Sequence, residues 1–267
     1  MEQRWLGWSW WRRAVMDARR IALIVEYEGT RYHGLQIQVG LPTVQGEIER
    51  ALGRLTGERI RIACASRTDH GVHAKGQVVG FDTTSPLPLE TFIRALNHYL
   101  PRDIAVSKAF RVAQDFDARR DALSREYCYY LLNSSTPSPL LRRSAYFVPK
   151  PLDIEAMNEA CRDLWGKHDF APFASSLDGR RNTVRTVLRA EVAREGDLVT
   201  FSMVANSFLP HQVRNTIGAL VKVGLGKSDV ETFHRIARSK SPGLAGPALP
   251  PHGLFLVKVN YPDGAFG

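Results

Sequence analysis

IRIACASRTDHGVHAKGQVVGFDTT, residues 60–84, consists of two strand-like runs around a polar turn. IRIACAS (60–66) and QVVGFDTT (77–84) carry the β-branched and aromatic residues that favour strands, and the segment between them carries turn formers. Ahead of this hairpin lie an alternating run at 21–28 (IALIVEYE) and a helical stretch at 43–57, with apolar Val44, Ile48, Ala51, Leu52 and Leu55 behind a Thr43 cap. After it come a helical stretch at 89–100 and a strand at 103–112. The order is β-α-β-β-α-β.

The second half repeats that order. LSREYCYYLLN (123–133) is a strand, 153–165 a helix, 184–194 and 197–206 strands, Pro210 to about Val223 a helix, and GLFLVKVNY (253–261) a strand. Each unit matches the ferredoxin-like plan, in which helices cover one face of an antiparallel sheet and leave the other open to a partner. The fold class is therefore α+β, with two tandem ferredoxin-like (βαββαβ) halves, each built on an antiparallel sheet. The boundary falls near residues 113–120, giving a basic, Trp-rich extension at 1–20 and domains at 21–115 and 116–267. Three connections, 134–152, 167–183 and 239–252, are too long and too rich in Pro, Ser and Gly to be tight turns.

Composition narrows the function classes. The 36 Lys and Arg exceed the 27 Asp and Glu, and the net charge of +9 favours a polyanionic partner. Cys64, Cys128 and Cys161 are odd in number and far apart, which argues against a disulfide framework and fits a reducing cytoplasm. No apolar run reaches the roughly 18 residues of a spanning helix, and the N-terminal patch is too short and too charged for an export signal. VKVGLGKS (221–228) fails as a phosphate loop because Val221 stands where that motif requires glycine.

The polar turn gathers Arg67, Asp69, His70, His73 and Lys75. Asp and Gly in T-D-H-G are ordinary turn formers, so a plain hairpin loop accounts for them. His70, His73 and Cys64 raise the thought of a metal, but no second cluster completes a four-coordinate site. The third possibility is a reactive carboxylate at a sheet edge.

Five segments, taken together and in order, favour the third. SRTDHGVHAKGQV (66–78), DFDARRDALSREYCY (115–129), ANSFLPHQVRNTIGAL (205–220), HGLFLVKVNYP (252–262) and EYEGTRYHGLQIQ (26–38) resemble signature blocks of the TruA family of tRNA pseudouridine synthases. The resemblance spans residues 20–263. It implies that the two antiparallel sheets flank a basic active-site cleft. It also implies isomerisation of uridine to pseudouridine in the anticodon stem-loop of tRNA, by a homodimer that uses neither cofactor nor metal. Asp69 matches the family's essential aspartate, Arg214 its V-R-N arginine, Tyr127 the tyrosine that packs on the target base, and Leu254 an apolar position beside it. Arg67 is suited to a phosphate or ribose of the extruded nucleotide, because guanidinium forks bind phosphate in a bidentate manner. Arg119 and Lys75, with Arg142, Arg143, Lys167, His168, Arg180 and Arg181, supply further cations for RNA.

Leu35, Ser66, His70, Pro210 and Gln212 depart from the family pattern without removing a proposed catalytic group. A tRNA-binding protein of weak activity and a hydrolase using Asp69 as base are the rival readings. Residues 1–15, with four tryptophans among arginines, precede the resemblance. They are expected to be dispensable, with Met16 as an alternative start.

Overall fold

The computed structural model describes residues 18–175, 177, 179 and 182–266. The N-terminal expectation, and the binding roles of Arg180 and Arg181, lie outside them. The first half runs β1 (Arg19–Tyr27), α1 (Val44–Thr56), β2 (Ala63–Cys64), β3 (His73–Thr83), α2 (Leu89–Tyr99) and β4 (Ile104–Val112). The second runs β5 (Ser124–Leu132), β6 (Tyr146–Phe147), α3 (Ile154–Cys161), β7 (Gly166–Asp169), β8 (Val184–Glu195), β9 (Leu198–Ala205), α4 (Gln212–Gly224), α5 (Val230–Arg238) and β10 (Leu254–Asn260).

Local chemistry explains the elements. The Thr43 side chain accepts from the Gly46 amide, as the sequence predicts for the start of α1, and Gly57 closes that helix in the left-handed conformation. Val44, Ile48, Ala51 and Leu52 form the buried stripe of α1. Each of the three larger side chains contributes about 1.5–3 kcal/mol of burial. Asp229 caps α5 by accepting from the Thr232 amide. The sequence reading does not contain this helix, nor β6 and β7: it passes directly from the helix spanning Pro210 to about Val223 to the turn-rich stretch at 239–252.

The sheet corrects the expected picture of two separate antiparallel sheets. Among the described residues, ten strands form one sheet in the order β4-β1-β3-β10-β5-β9-β8-β7, with β2 on β3 and β6 on β5. Most pairings are antiparallel, but the halves are joined by a short parallel pairing of β3 with β10, Phe255 opposite His73 and Leu256 opposite Ala74. Gly76 permits the approach, since a Cβ there would lie 2.4 Å from the Val257 carbonyl oxygen. This contact, with the pairing of Tyr27 to Ala74, draws residues 73–76 into β3, which the sequence reading starts at Gln77. At the other end β2 shrinks to two residues, because the Ile62 amide donates to the Glu49 side chain of α1 (3.1 Å) instead of to a strand.

The second sheet face is not open over β3. Phe81 points toward Phe92 of α2, while Gly80 faces Phe116 and Ala118 of the connection between the halves. Both of those residues are buried. On the helical side, α1 packs with α2, and α3 packs with α4, α5 and β8.

Candidate active site

The β2–β3 connection is a tight turn. The Val72 amide donates to the Asp69 carbonyl (3.2 Å), and Gly71 at the third position has φ 75°. The turn-forming reading is thus correct for the backbone. The Asp69 side chain does something else: among the described residues its contacts lie across the cleft, not in its own turn. Arg214 Nη1 is 3.5 Å and His211 Nε2 3.3 Å from the same oxygen, Oδ2.

Arg214 occupies the first turn of α4, where a cation opposes the helix dipole and gains from an anionic partner. Its Nε donates to the Leu249 carbonyl (2.7 Å), and its own carbonyl accepts from the Leu249 amide (3.2 Å). The guanidinium is therefore aimed before any substrate arrives. Its side chain is only 13% exposed, against 44% for Asp69.

A second turn leads into α4. The Gln212 amide donates to the Leu209 carbonyl (3.1 Å), with Pro210 second and His211 third at φ 59°, ψ 6°. Proline followed by a positive φ marks a type II turn. His211 is the one non-glycine residue with positive φ among those described, a conformation that costs an L-residue roughly 1–2 kcal/mol. The Gln212 side-chain oxygen accepts from the Leu209 amide (2.9 Å), so the two departures flanking His211 build the turn that carries it.

Between the turns lies a cleft of about 320 Å³, lined by Asp69, Arg214, Tyr127, Arg67, Arg119 and Leu254. Asp69, Arg214, Tyr127, Leu254, Arg67 and Arg119, all nominated from the sequence, thus meet in one place. Lys75 does not. It sits on β3 with its ammonium 3.2 Å from the Tyr130 hydroxyl and over the Tyr130 and Phe255 rings.

Tyr127 is buried on β5, with Phe208 edge-on to its ring at 5.1 Å. Its hydroxyl pairs with Ser66 Oγ at 2.8 Å. Burial pushes this phenol up to about 12, so it remains protonated at neutral pH. Ser66, directly ahead of Arg67, thus supplies the tyrosine's hydrogen-bond partner. Asp117 holds Arg119 at the rim, its Oδ1 accepting from the Arg119 and Arg120 amides.

Arg125 was not singled out by the sequence, although it stands in the quoted R-E-Y. Buried beneath the cleft, it donates to four backbone carbonyls, those of Ala65, Arg119, Ala122 and Asn206. Desolvation lowers its pKa. Among the described residues, four arginines, Arg67, Arg119, Arg125 and Arg214, line the cleft against the Asp69 carboxylate.

The two histidines of this loop, His70 and His73, are engaged with backbone groups. His73 accepts from the Gly29 amide at Nδ1 (3.0 Å) and donates from Nε2 to the His252 carbonyl (3.1 Å). His70 Nδ1 lies 2.8 Å from the Tyr32 carbonyl oxygen. The Cys64 thiol is pushed up to about 12 by burial.

A family model described as tRNA pseudouridine synthase matches residues 23–121 and 160–262. The chain belongs to that family. Among its relatives in the family, proteins named tRNA pseudouridine synthase A from Myxococcus xanthus and Acetivibrio thermocellus are each 43% identical to it. The alignments cover 92% and 91% of this chain, and 93% and 100% of theirs. A protein of the same name from Roseiflexus castenholzii is 44% identical over 92% of both chains. The family's matched segments include both turns, the one bearing Asp69 and the one leading to Arg214.

Proposed function

We propose that this chain isomerises uridine to pseudouridine in the anticodon stem-loop of tRNA, with Asp69 as the essential carboxylate. The observation that carries this reading is the Asp69–Arg214 ion pair, formed by residues 145 positions apart across a cleft rich in arginine. In the reaction the N1–C1′ glycosidic bond breaks, the uracil turns, and C5 bonds to C1′ while the C5 proton is given up and N1 gains one. No atoms or electrons are needed from outside.

Asp69 either attacks C1′ or removes a sugar proton, and both routes require an ionised oxygen aimed at an extruded nucleotide. A cleft of about 320 Å³ is of a size to hold one nucleoside. Tyr127 and Leu254 pack on the base, the neutral phenol donating or accepting a hydrogen bond instead of carrying charge. Arg67 and Arg119 hold the phosphates. A groove with Arg67, Arg119 and Arg120 continues from the cleft toward Gln36 and Gln45, giving the RNA backbone a path outward.

The strand orders β4-β1-β3-β2 and β10-β5-β9-β8 support reading the chain as tandem ferredoxin-like domains at 21–115 and 116–267. One such pair presents limited surface to a whole tRNA, so two copies share the substrate as a C2 homodimer. A site in the cytoplasm fits three unpaired cysteines. No helix among the described residues is long and apolar enough to cross a membrane.

Incubation of purified protein with unmodified tRNA, followed by nucleoside analysis and position mapping, tests the reading. Pseudouridine in the anticodon arm at constant RNA mass is expected, and unchanged uridine there would refute it.

A further inference from the structure

Three observations converge on His211, to which the proposed reaction assigns no role. Its backbone holds φ 59° at the third position of a type II turn, a place that glycine or asparagine fills without strain. Its side chain does not cap the helix it precedes, so the usual reason for a polar residue at that position is missing. Its Nε2 stands 3.3 Å from Asp69 Oδ2, on the oxygen that Arg214 also reaches. Among the described residues, the other oxygen of Asp69 has no partner.

Backbone strain persists where surrounding structure enforces it, and it concentrates at functional sites. Here the left-handed geometry carries the imidazole to the cleft instead of into α4. The ring remains 37% exposed, so burial does not account for its place. Histidine is among the residues that tolerate this backbone region better than most, but tolerance alone gives no reason for the ring to meet the carboxylate.

We propose that His211 is a positioning residue for Asp69. Together with Arg214 it fixes one carboxylate oxygen by two contacts of different geometry, a planar guanidinium from the helix and an imidazole nitrogen from the turn. The remaining oxygen is left as the reacting atom, presented to the extruded uridine in a single orientation. One contact alone would let the carboxylate swing about the Arg214 fork, and the time spent aimed at C1′ or the sugar proton would fall. This assignment deepens the pseudouridine synthase reading and rests on it.

The test uses full-length protein and the substitutions His211→Gly and His211→Asn, with wild type and Asp69→Asn alongside. Glycine takes the same backbone without strain and removes the ring; asparagine tolerates that backbone and restores a shorter donor. The expected result for His211→Gly is an unchanged or higher melting temperature and a KM for tRNA within about threefold of wild type. Its kcat is expected to fall about 10- to 100-fold, the penalty of a misaimed catalytic group. His211→Asn should recover part of the lost kcat. A glycine variant within about twofold of wild-type kcat, or one whose loss lies in KM or in melting temperature, would overturn the assignment and leave the synthase reading intact. A wild-type protein that forms no pseudouridine would overturn both.

Discussion

Two turns face each other across the cleft, built on one plan and filled differently. Asp69-His70-Gly71-Val72 and Leu209-Pro210-His211-Gln212 each close with an amide of the fourth residue on the carbonyl of the first, and each needs a positive φ at the third. The first turn spends a glycine there, packed 3.0 Å from Pro251 as measured from an added Cβ, and displays its carboxylate from the first position. The second places a histidine at the strained position and uses that side chain. Backbone shape is thus common to both, and the chemistry depends on which position carries the working group. Beneath them, Arg125 ties the two sides together by donating to Ala65 ahead of the first turn and Asn206 ahead of the second.

The sharpest way to break this pairing of turns is to remove the ion that joins them. Arg214→Ala should lower kcat by about 100-fold or more, since Asp69 loses both counter-charge and aim. Arg214→Lys should recover only part, because an ammonium cannot reproduce the planar fork. Steady-state kinetics on tRNA would check this, and an alanine variant within a few-fold of wild type would separate Asp69 from Arg214 in function.

Removal of the tie beneath comes next. Arg125→Ala leaves four carbonyls without their shared donor, and a loss of roughly 3 kcal/mol is expected from denaturant unfolding. A midpoint unchanged from wild type would show that the turns hold their spacing without it.

Exchange of the third residues should give opposite signs. Gly71→Ala puts a side chain at φ 75° and against Pro251, costing about 1–2 kcal/mol. His211→Gly relieves strain of the same kind and should leave stability equal or higher. Like signs in the two melts would mean that the turns are not alike in backbone energetics.

The smallest expected effect is on pH dependence. Burial lowers the pKa of His73, just after the first turn, from its ordinary value of 6.5. The folded state therefore binds that proton less tightly than the unfolded one. The stability contributed by the neutral ring is complete above about pH 6.5 and is lost as pH falls from there toward the folded-state value. His252 is lowered in the same direction, again chiefly by burial. Unfolding free energies measured between pH 7 and 5 should fall in wild type and fall less steeply in His73→Gln; equal slopes would remove His73 from the explanation.

Much of this arrangement is legible in the sequence, for identifiable reasons. Strands and helices with clean periodicity, such as β1, α1 and β9, announce themselves, and Thr43 marks its own cap. Asp69, Arg214 and Tyr127 stand in segments whose residues resemble family blocks, and the fold then brings them within one cleft. What stayed hidden depends on partners far off in the chain. The parallel join of β3 to β10 rests on a glycine contact across some 180 residues, and residues 73–76 read as loop until that join supplies their pairing. Lys75 looked like cleft charge because it follows Asp69 closely, but strand alternation and the rings of Tyr130 and Phe255 hold it elsewhere. For His211 the sequence offers only Pro210 as a turn former; the residue that announces a type II turn after proline is glycine or asparagine, not histidine. Only the structure shows that its ring meets Asp69.

The most direct test of the whole account is Asp69→Asn, which keeps size and turn-forming capacity while removing the ionised oxygen. Pseudouridine formation on purified tRNA and a binding titration at fixed salt, since phosphate contacts make affinity salt-dependent, are to be measured together. The account predicts unchanged folding and retained tRNA binding, with turnover below detection. Turnover within about tenfold of wild type, a loss of only about 1.4 kcal/mol in barrier height, would make Asp69 a turn residue and contradict the assignment of the site.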